Sequence, residues 1–217
     1  MRRRSHAKKL LVEGRQEQRV IPELIEANGV LWGESRNDAI VLIDEFDGIE
    51  NLLKPGVIEA ELKSSGVEVV GIIVDADYDL EKRWQAVRNR CLSKFPDLPE
   101  KWEETPLIVT ADDGLKLGVW IMPDNSKCGM LETFLQYLAP TGSESLVEYA
   151  KETCEEAANR GATYTPHQKT KAEIYTWLSW QNEPGRQLHQ AVKERILDPS
   201  SSSAAGFVEW FRELFEL

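Results

Sequence analysis

The chain has 217 residues and a formal net charge of −11 at pH 7, with 41% hydrophobic and 29% charged residues. That balance describes an ordinary folded protein with room for a sizeable core and argues against a disordered one. The acidity argues against holding nucleic acid by bulk attraction, so a polyanionic substrate needs a basic patch, a partner or bound cations.

No apolar run approaches the ~18–20 residues that span a bilayer. The opening MRRRSHAKKLLVEG carries a basic cluster with too few apolar residues for a signal peptide. Cys91, Cys128 and Cys154 are far apart and form no CxxC pair. They read as reduced thiols of a cytoplasmic protein, without a zinc site.

Lys9–Val12 reads as a short strand ending at Glu13-Gly14. Val20, Ile21, Leu24 and Ile25 have helical spacing, with Pro22 tolerated in the first turn and Asn28-Gly29 as the stop. Ala39–Ile43 is the next strand, and Ile49–Ser65 reads as helix broken at Pro55-Gly56. Val67–Val74 is the strongest strand. It leads into an amphipathic helix over Leu80–Phe95, with Leu80, Trp84, Val87, Cys91 and Phe95 on one stripe. Leu107–Thr110 and Lys116–Met122 flank ADDG as a hairpin. This alternation predicts βαβ units and a mainly parallel sheet.

The pattern then turns helical. Met130–Leu138 is followed by Ser145–Arg160, with Ser145 and Glu148 at capping-box spacing, then by Pro166–Gln181 and Gly185–Leu197. DPSSSSAAG reads as a flexible linker. In the closing FVEWFRELFEL, Phe207, Trp210, Phe211 and Leu214 share one stripe, which favours a helix docked on its own core over one that binds a partner. Trp177 and Trp180, with Tyr175, read mainly as packing.

GIIVDADYD places Asp75, Asp77 and Asp79 directly after an apolar strand. Asp75 and Asp77 share a side if the strand conformation persists. Ligands of a parallel α/β sheet bind outside the carboxyl ends of its strands, where both Asp75 and Glu13 lie. Glu17 follows Glu13 by one helical turn. Carboxylates without histidine or cysteine suit magnesium or manganese. Asp79 reads as a third ligand or, in preference, as a charge at the start of the next helix. Asp124 and Asn125 either touch the site or form a turn, and Asp44 has the same two readings. Arg83, Arg88, Arg90 and Lys94 are a solvated face or a nucleic-acid patch. His167 reads as a surface or capping residue, or a phosphate contact.

LLVEGRQE followed by GIIVDADYD resembles the Toprim domain of topoisomerases, bacterial primases and OLD-type nucleases. VEGRQEQRVIPEL is most similar to the OLD branch, and the whole chain resembles a small stand-alone bacterial family of OLD-like Toprim proteins. The resemblance implies a three-layer Toprim-like α/β fold. Residues 1–139 would be the catalytic domain, and 140–217 a helical extension packed on the same domain. It implies Glu13 as metal ligand or general acid/base, Asp75 and Asp77 as ligands of a first magnesium or manganese, and Glu17 as ligand of a second. Glu132 and Lys171 resemble the later acidic and basic site positions, with Lys169 as competitor to Lys171. Two such ions about 3.5–4 Å apart can activate water against a phosphodiester, and a lysine can neutralise the charge that builds on its oxygens.

The function implied is a Mg2+-dependent nuclease acting on DNA or RNA, in phage defence with a separate ATPase, since the chain carries no GxxxxGK[ST] loop. A homodimer is allowed and a membrane role is not expected. Two other classes compete. One is a Toprim-like module that regulates a partner without catalysis. The other is a haloacid-dehalogenase-type phosphatase, which wants Thr or Val where this chain has Asp79.

Overall fold

The computed structural model describes residues 6–217, so the basic Arg2–Arg4 start lies outside the described residues. In chain order the first half runs β1 (Lys8–Val12), α1 (Arg15–Ala27), β2 (Leu42–Glu45), α2 (Ile49–Leu52), α3 (Val57–Glu61), β3 (Val69–Asp75), α4 (Leu80–Cys91), β4 (Leu107–Thr110) and β5 (Lys116–Met122). The second half is helical: α5 (Leu131–Tyr137), α6 (Glu144–Asn159), a 3-10 turn (Pro166–Gln168), α7 (Lys169–Ser179), α8 (Leu188–Lys193) and α9 (Ser202–Phe215).

The strands form one five-stranded sheet in the order β2-β1-β3-β5-β4. All neighbours are parallel except the β4–β5 hairpin. The fold is α/β, with a mostly parallel sheet and helices on both faces. Strand alternation divides the core in two. Leu10, Val12, Val69 and Ile73 pack toward α1, α5 and α7–α9. Leu11, Val70, Ile72 and Val74 pack toward α2–α4. A strand covered on both faces needs a continuous apolar run, which is why β3 stands out in the sequence.

α9 belongs to this core. It lies over the middle of the sheet, where Gly71 of β3 pairs in register with Gly118 of β5. A Cβ at Gly71 would fall 2.7 Å from Leu10 Cδ1 and 3.1 Å from Leu214 Cδ2, and one at Gly118 would overlap Leu214. The two glycines let the helix approach the strands closely. Phe207, Trp210, Phe211 and Leu214 are all buried, as the stripe predicts, and Phe215 is buried with them.

Several boundaries differ from the pattern. The second strand starts at Leu42 rather than Ala39, because Ile40 N donates to Trp32 O and holds that stretch in a loop. The helix after β3 ends at Cys91, with Phe95 packed beyond it in a turn. The helix α6 begins at Glu144 with Ser143 as its cap residue, so Ser145 lies inside it and makes no capping box. The expected linker over 198–206 is mostly the first turns of α9. Its remainder is tied down: Asp198 N donates to Leu138 O, and the Asp198 carboxylate accepts from Ser200 N and Oγ. Among the described residues no helix is long and apolar enough to cross a membrane.

Candidate functional site

In this strand order β1 lies beside β3, and the chain leaves β1 through α1 in one layer and β3 through α4 in the other. The connections therefore diverge and leave a crevice at the carboxyl ends of β1 and β3. Glu13 follows β1 directly and Asp75 ends β3, and the two strands pair with Val12 opposite Ile73. The acids are knitted by backbone: Glu13 Oε1 accepts from Asp75 N at 2.7 Å. Asp75 Oδ1 in turn accepts from Leu131 N, the first residue of α5, at 2.9 Å. That bond docks the start of α5 on the crevice and brings in Glu132, which is buried. Glu17, also buried, lies one turn into α1 and folds back over Gly14.

Burial and crowding disfavour ionisation here. Burial pushes the Glu13 carboxyl up to about 7, against the opposing Asp75 amide bond. Burial likewise pushes Glu17 up to about 7, with the Glu13 and Glu132 charges adding to it. Asp75 is raised well above its ordinary value by burial, then by the charges of Glu13, Glu17, Glu132 and Asp77. Five acids thus share one electrostatic neighbourhood. They do not form a ready-made cage: among the described residues no group of three or more His, Cys, Asp or Glu is so disposed.

Asp77 arrives by a different route from the one strand alternation predicts. The strand ends at Asp75, and Asp77 adopts a left-handed φ of 54°. Its amide donates to Gly129 O at 2.8 Å. Its Oδ2 takes a hydrogen bond from Arg83 Nη2 at 2.5 Å, and its Oδ1 lies 3.7 Å from His167 Nδ1. Asparagine and aspartate tolerate that conformation better than other side chains, yet it still marks a constrained position.

Lys171 Nζ lies 3.9 Å from Glu132 Oε1 at the rim, and its side chain is half-exposed. Lys169 turns away, paired with Glu155 at 2.6 Å. Asp79 caps α4 by accepting from Lys82 N at 2.9 Å. Asp124 and Asn125 form a turn. Asp124 Oδ1 accepts from Ser126 N and Lys127 N, while buried Asn125 accepts from Ile121 N at 2.7 Å and carries a φ of 64°. Asp44 is held by Arg36 at 2.7 Å and faces Lys9. The remaining cations of the α4 segment serve the surface: Arg88 bonds Leu98 O, Arg90 lies 3.9 Å from Glu59, and Lys94 pairs with Asp113.

Sequence patterning does not single out Arg83 or Tyr78 as neighbours of the acids. A signal exists for Arg83. It lies one turn past the cap residue Asp79, and helical side chains lean toward their own N-terminus. Tyr78 has no such signal, because its placement depends on the turn at Asp77.

No curated protein matches the chain. Among solved structures, the C-terminal region of the Xanthomonas campestris pv. campestris OLD protein is similar over 97% of this chain and 96% of its own, with 16% identity and a TM-score of 0.41. Residues 7–216 match the family described as "Protein of unknown function (DUF3226)", and the chain belongs to that family.

Proposed function

We propose that this protein is a Toprim-like nuclease of the OLD type, hydrolysing phosphodiester bonds of DNA or RNA with Mg2+ or Mn2+. The observation that carries this reading is the gathering of Glu13, Glu17, Asp75 and Glu132 where β1 and β3 end, with Asp77 beside them. The donor set suits such an ion by its chemistry, hard carboxylate oxygens at buried or partly buried positions, and the carboxylates would have to draw together around it. Glu13, Glu17, Asp75 and Glu132 would hold it, with Asp77 as a fifth ligand. A divalent ion there would supply a Lewis acid and a bound water that gives up its proton more readily than bulk water.

The chain's own groups supply the rest. Backbone amides of Asp75 and Leu131 fix one oxygen each of Glu13 and Asp75, so the carboxylates are positioned before any ligand arrives. Arg83 orients Asp77 through their ion pair. Lys171, at the rim, neutralises charge that builds on phosphoryl oxygens. The acid cluster repels a polyanion when bare, so substrate binding and ion binding are linked. A cellular role in defence against phage, with a separate ATPase as partner, goes with this reading.

One observation favours a second reading, a non-catalytic module that controls a partner: the Asp77 carboxylate already has a cationic partner in Arg83. Incubating the purified chain with Mg2+ or Mn2+ and labelled DNA and RNA separates the two. Cleavage by the unaltered chain, lost in both Asp75→Asn and Asp77→Asn with folding intact, is the expected result. Cleavage that persists in both variants removes the nuclease assignment. Mn2+ binding without any cleavage selects the second reading.

A further inference from the structure

Tyr78 stands between two aspartates whose places are accounted for, Asp77 beside the acid cluster and Asp79 as the cap of α4. Its own ring has no structural task, being 71% exposed. A lone exposed tyrosine needs no explanation on a protein surface. Tyr78 is not alone. Its ring centroid lies 6.1 Å from that of His167, at an interplanar angle of 56°. His167 comes from the 3-10 turn ahead of α7, and its Nδ1 lies 3.7 Å from the same Asp77 that precedes Tyr78. Two rings distant in sequence therefore meet beside one site carboxylate.

Basic groups stand around this pair. Arg83 bonds Asp77 on its other oxygen, and Lys171, four residues after His167, reaches Glu132. Both cations engage acids of the cluster, the Arg83 side chain 13% exposed and that of Lys171 48% exposed. The other exposed aromatic pair, Tyr149 on Trp180, is already stacked on itself at 5.4 Å and 28°. Of these two pairs, the Tyr78 pair adjoins the acids.

We propose that Tyr78, backed by His167, is a stacking surface for an unpaired base of a single-stranded nucleic acid whose phosphate lies over the carboxylate cluster. This rests on the nuclease reading above and names the form of its substrate. Every base offers a π face when unpaired, whereas in a duplex both faces are covered by neighbours. A tyrosine has only two side-chain torsions to fix when it stacks, so little entropy opposes the contact. Lys171, half-exposed at the rim, provides attraction that brings the backbone alongside.

The test is binding of a short oligonucleotide carrying one 2-aminopurine, as single-stranded DNA, as single-stranded RNA and as a duplex, with Ca2+ replacing Mg2+. Stacking quenches the 2-aminopurine fluorescence. The unaltered chain is expected to quench a single strand and to bind it more tightly than the duplex, and the two single-strand arms show which sugar it prefers. Tyr78→Ala should lose the quenching and weaken binding about 5- to 150-fold, the range set by one base stacked on an aromatic ring. Tyr78→Phe should keep both. Because the ring is exposed, neither change disturbs the core. Unchanged affinity and quenching in Tyr78→Ala, or tighter binding of the duplex by the unaltered chain, overturns this inference alone. Failure of the unaltered chain to bind any of the three oligonucleotides, duplex included, overturns it together with the nuclease reading.

Discussion

At the scale of single residues, the site separates groups that carry charge into the crevice from groups that manage it. Lys171 belongs to the second kind. Its ammonium is 3.9 Å from Glu132 Oε1 and half-exposed, so solvent screens the pair and its structural worth is small. Under the proposed nuclease reading, its value lies in the positive charge it offers to an incoming phosphoryl group. Lys171→Ala should therefore lower turnover by about 10²-fold, the scale of losing one transition-state donor, while Mn2+ affinity measured by calorimetry stays close to that of the unaltered chain. An equal loss in both would make Lys171 a support for Glu132 instead. Lys169, bound to Glu155 on the far side, serves as control, and its replacement should move neither number.

The elements explain how distant acids come together, and how much of that is legible in the sequence. Glu13 and Asp75 are legible because each follows an apolar run, and a buried strand of a parallel sheet delivers its last residue to the crevice. Glu132 is not reachable from patterning alone. It enters because Leu131 N donates to Asp75, a bond that exists only once α5 has docked. Tyr78 depends on the left-handed turn at Asp77, where strand periodicity ends and predicts nothing further, whereas Arg83 follows from its place one turn past the cap of α4. The last helix shows the reverse case. Its apolar stripe predicts docking, whereas its close seat on the sheet depends on Gly71 and Gly118, which look like mere interruptions of two strands. Gly118→Ala should cost about 1–3 kcal/mol by overpacking against Leu214. Added Leu214→Ala should recover part of that loss in a double-mutant cycle followed by denaturant melts. Strictly additive losses would mean that the helix shifts as a unit and that Leu214 is not what the new methyl meets.

For the molecule as a whole, the acid cluster ties fold stability to its own protonation. Glu13 and Glu17 are pushed up to about 7 from an ordinary 4.5, and Asp75 is raised in the same direction. For an acid raised on folding, the folded chain holds its proton longer than the unfolded one. Its contribution to stability is complete below about pH 4.5 and is lost as pH climbs through about 7. The exposed acids shifted the other way, such as Glu155 beside Lys169 and Glu216 beside Lys116, act below their ordinary values and leave the interval from pH 5 to 8 to the cluster. The metal-free protein should accordingly melt at a lower temperature at pH 8 than at pH 5, with each kcal/mol lost moving Tm about 2–4 °C for a chain of this size. Glu13→Gln, which keeps the acceptor oxygen for the Asp75 amide, should flatten that slope. Added Mn2+ should raise Tm at pH 8, by about 2.7 kcal/mol of stability at a hundredfold excess over Kd, and scarcely at pH 5, where protons compete for the same oxygens. A Tm that holds level or climbs from pH 5 to 8 without metal, or an equal Mn2+ effect at both, would show that these carboxylates are not the groups a cation relieves.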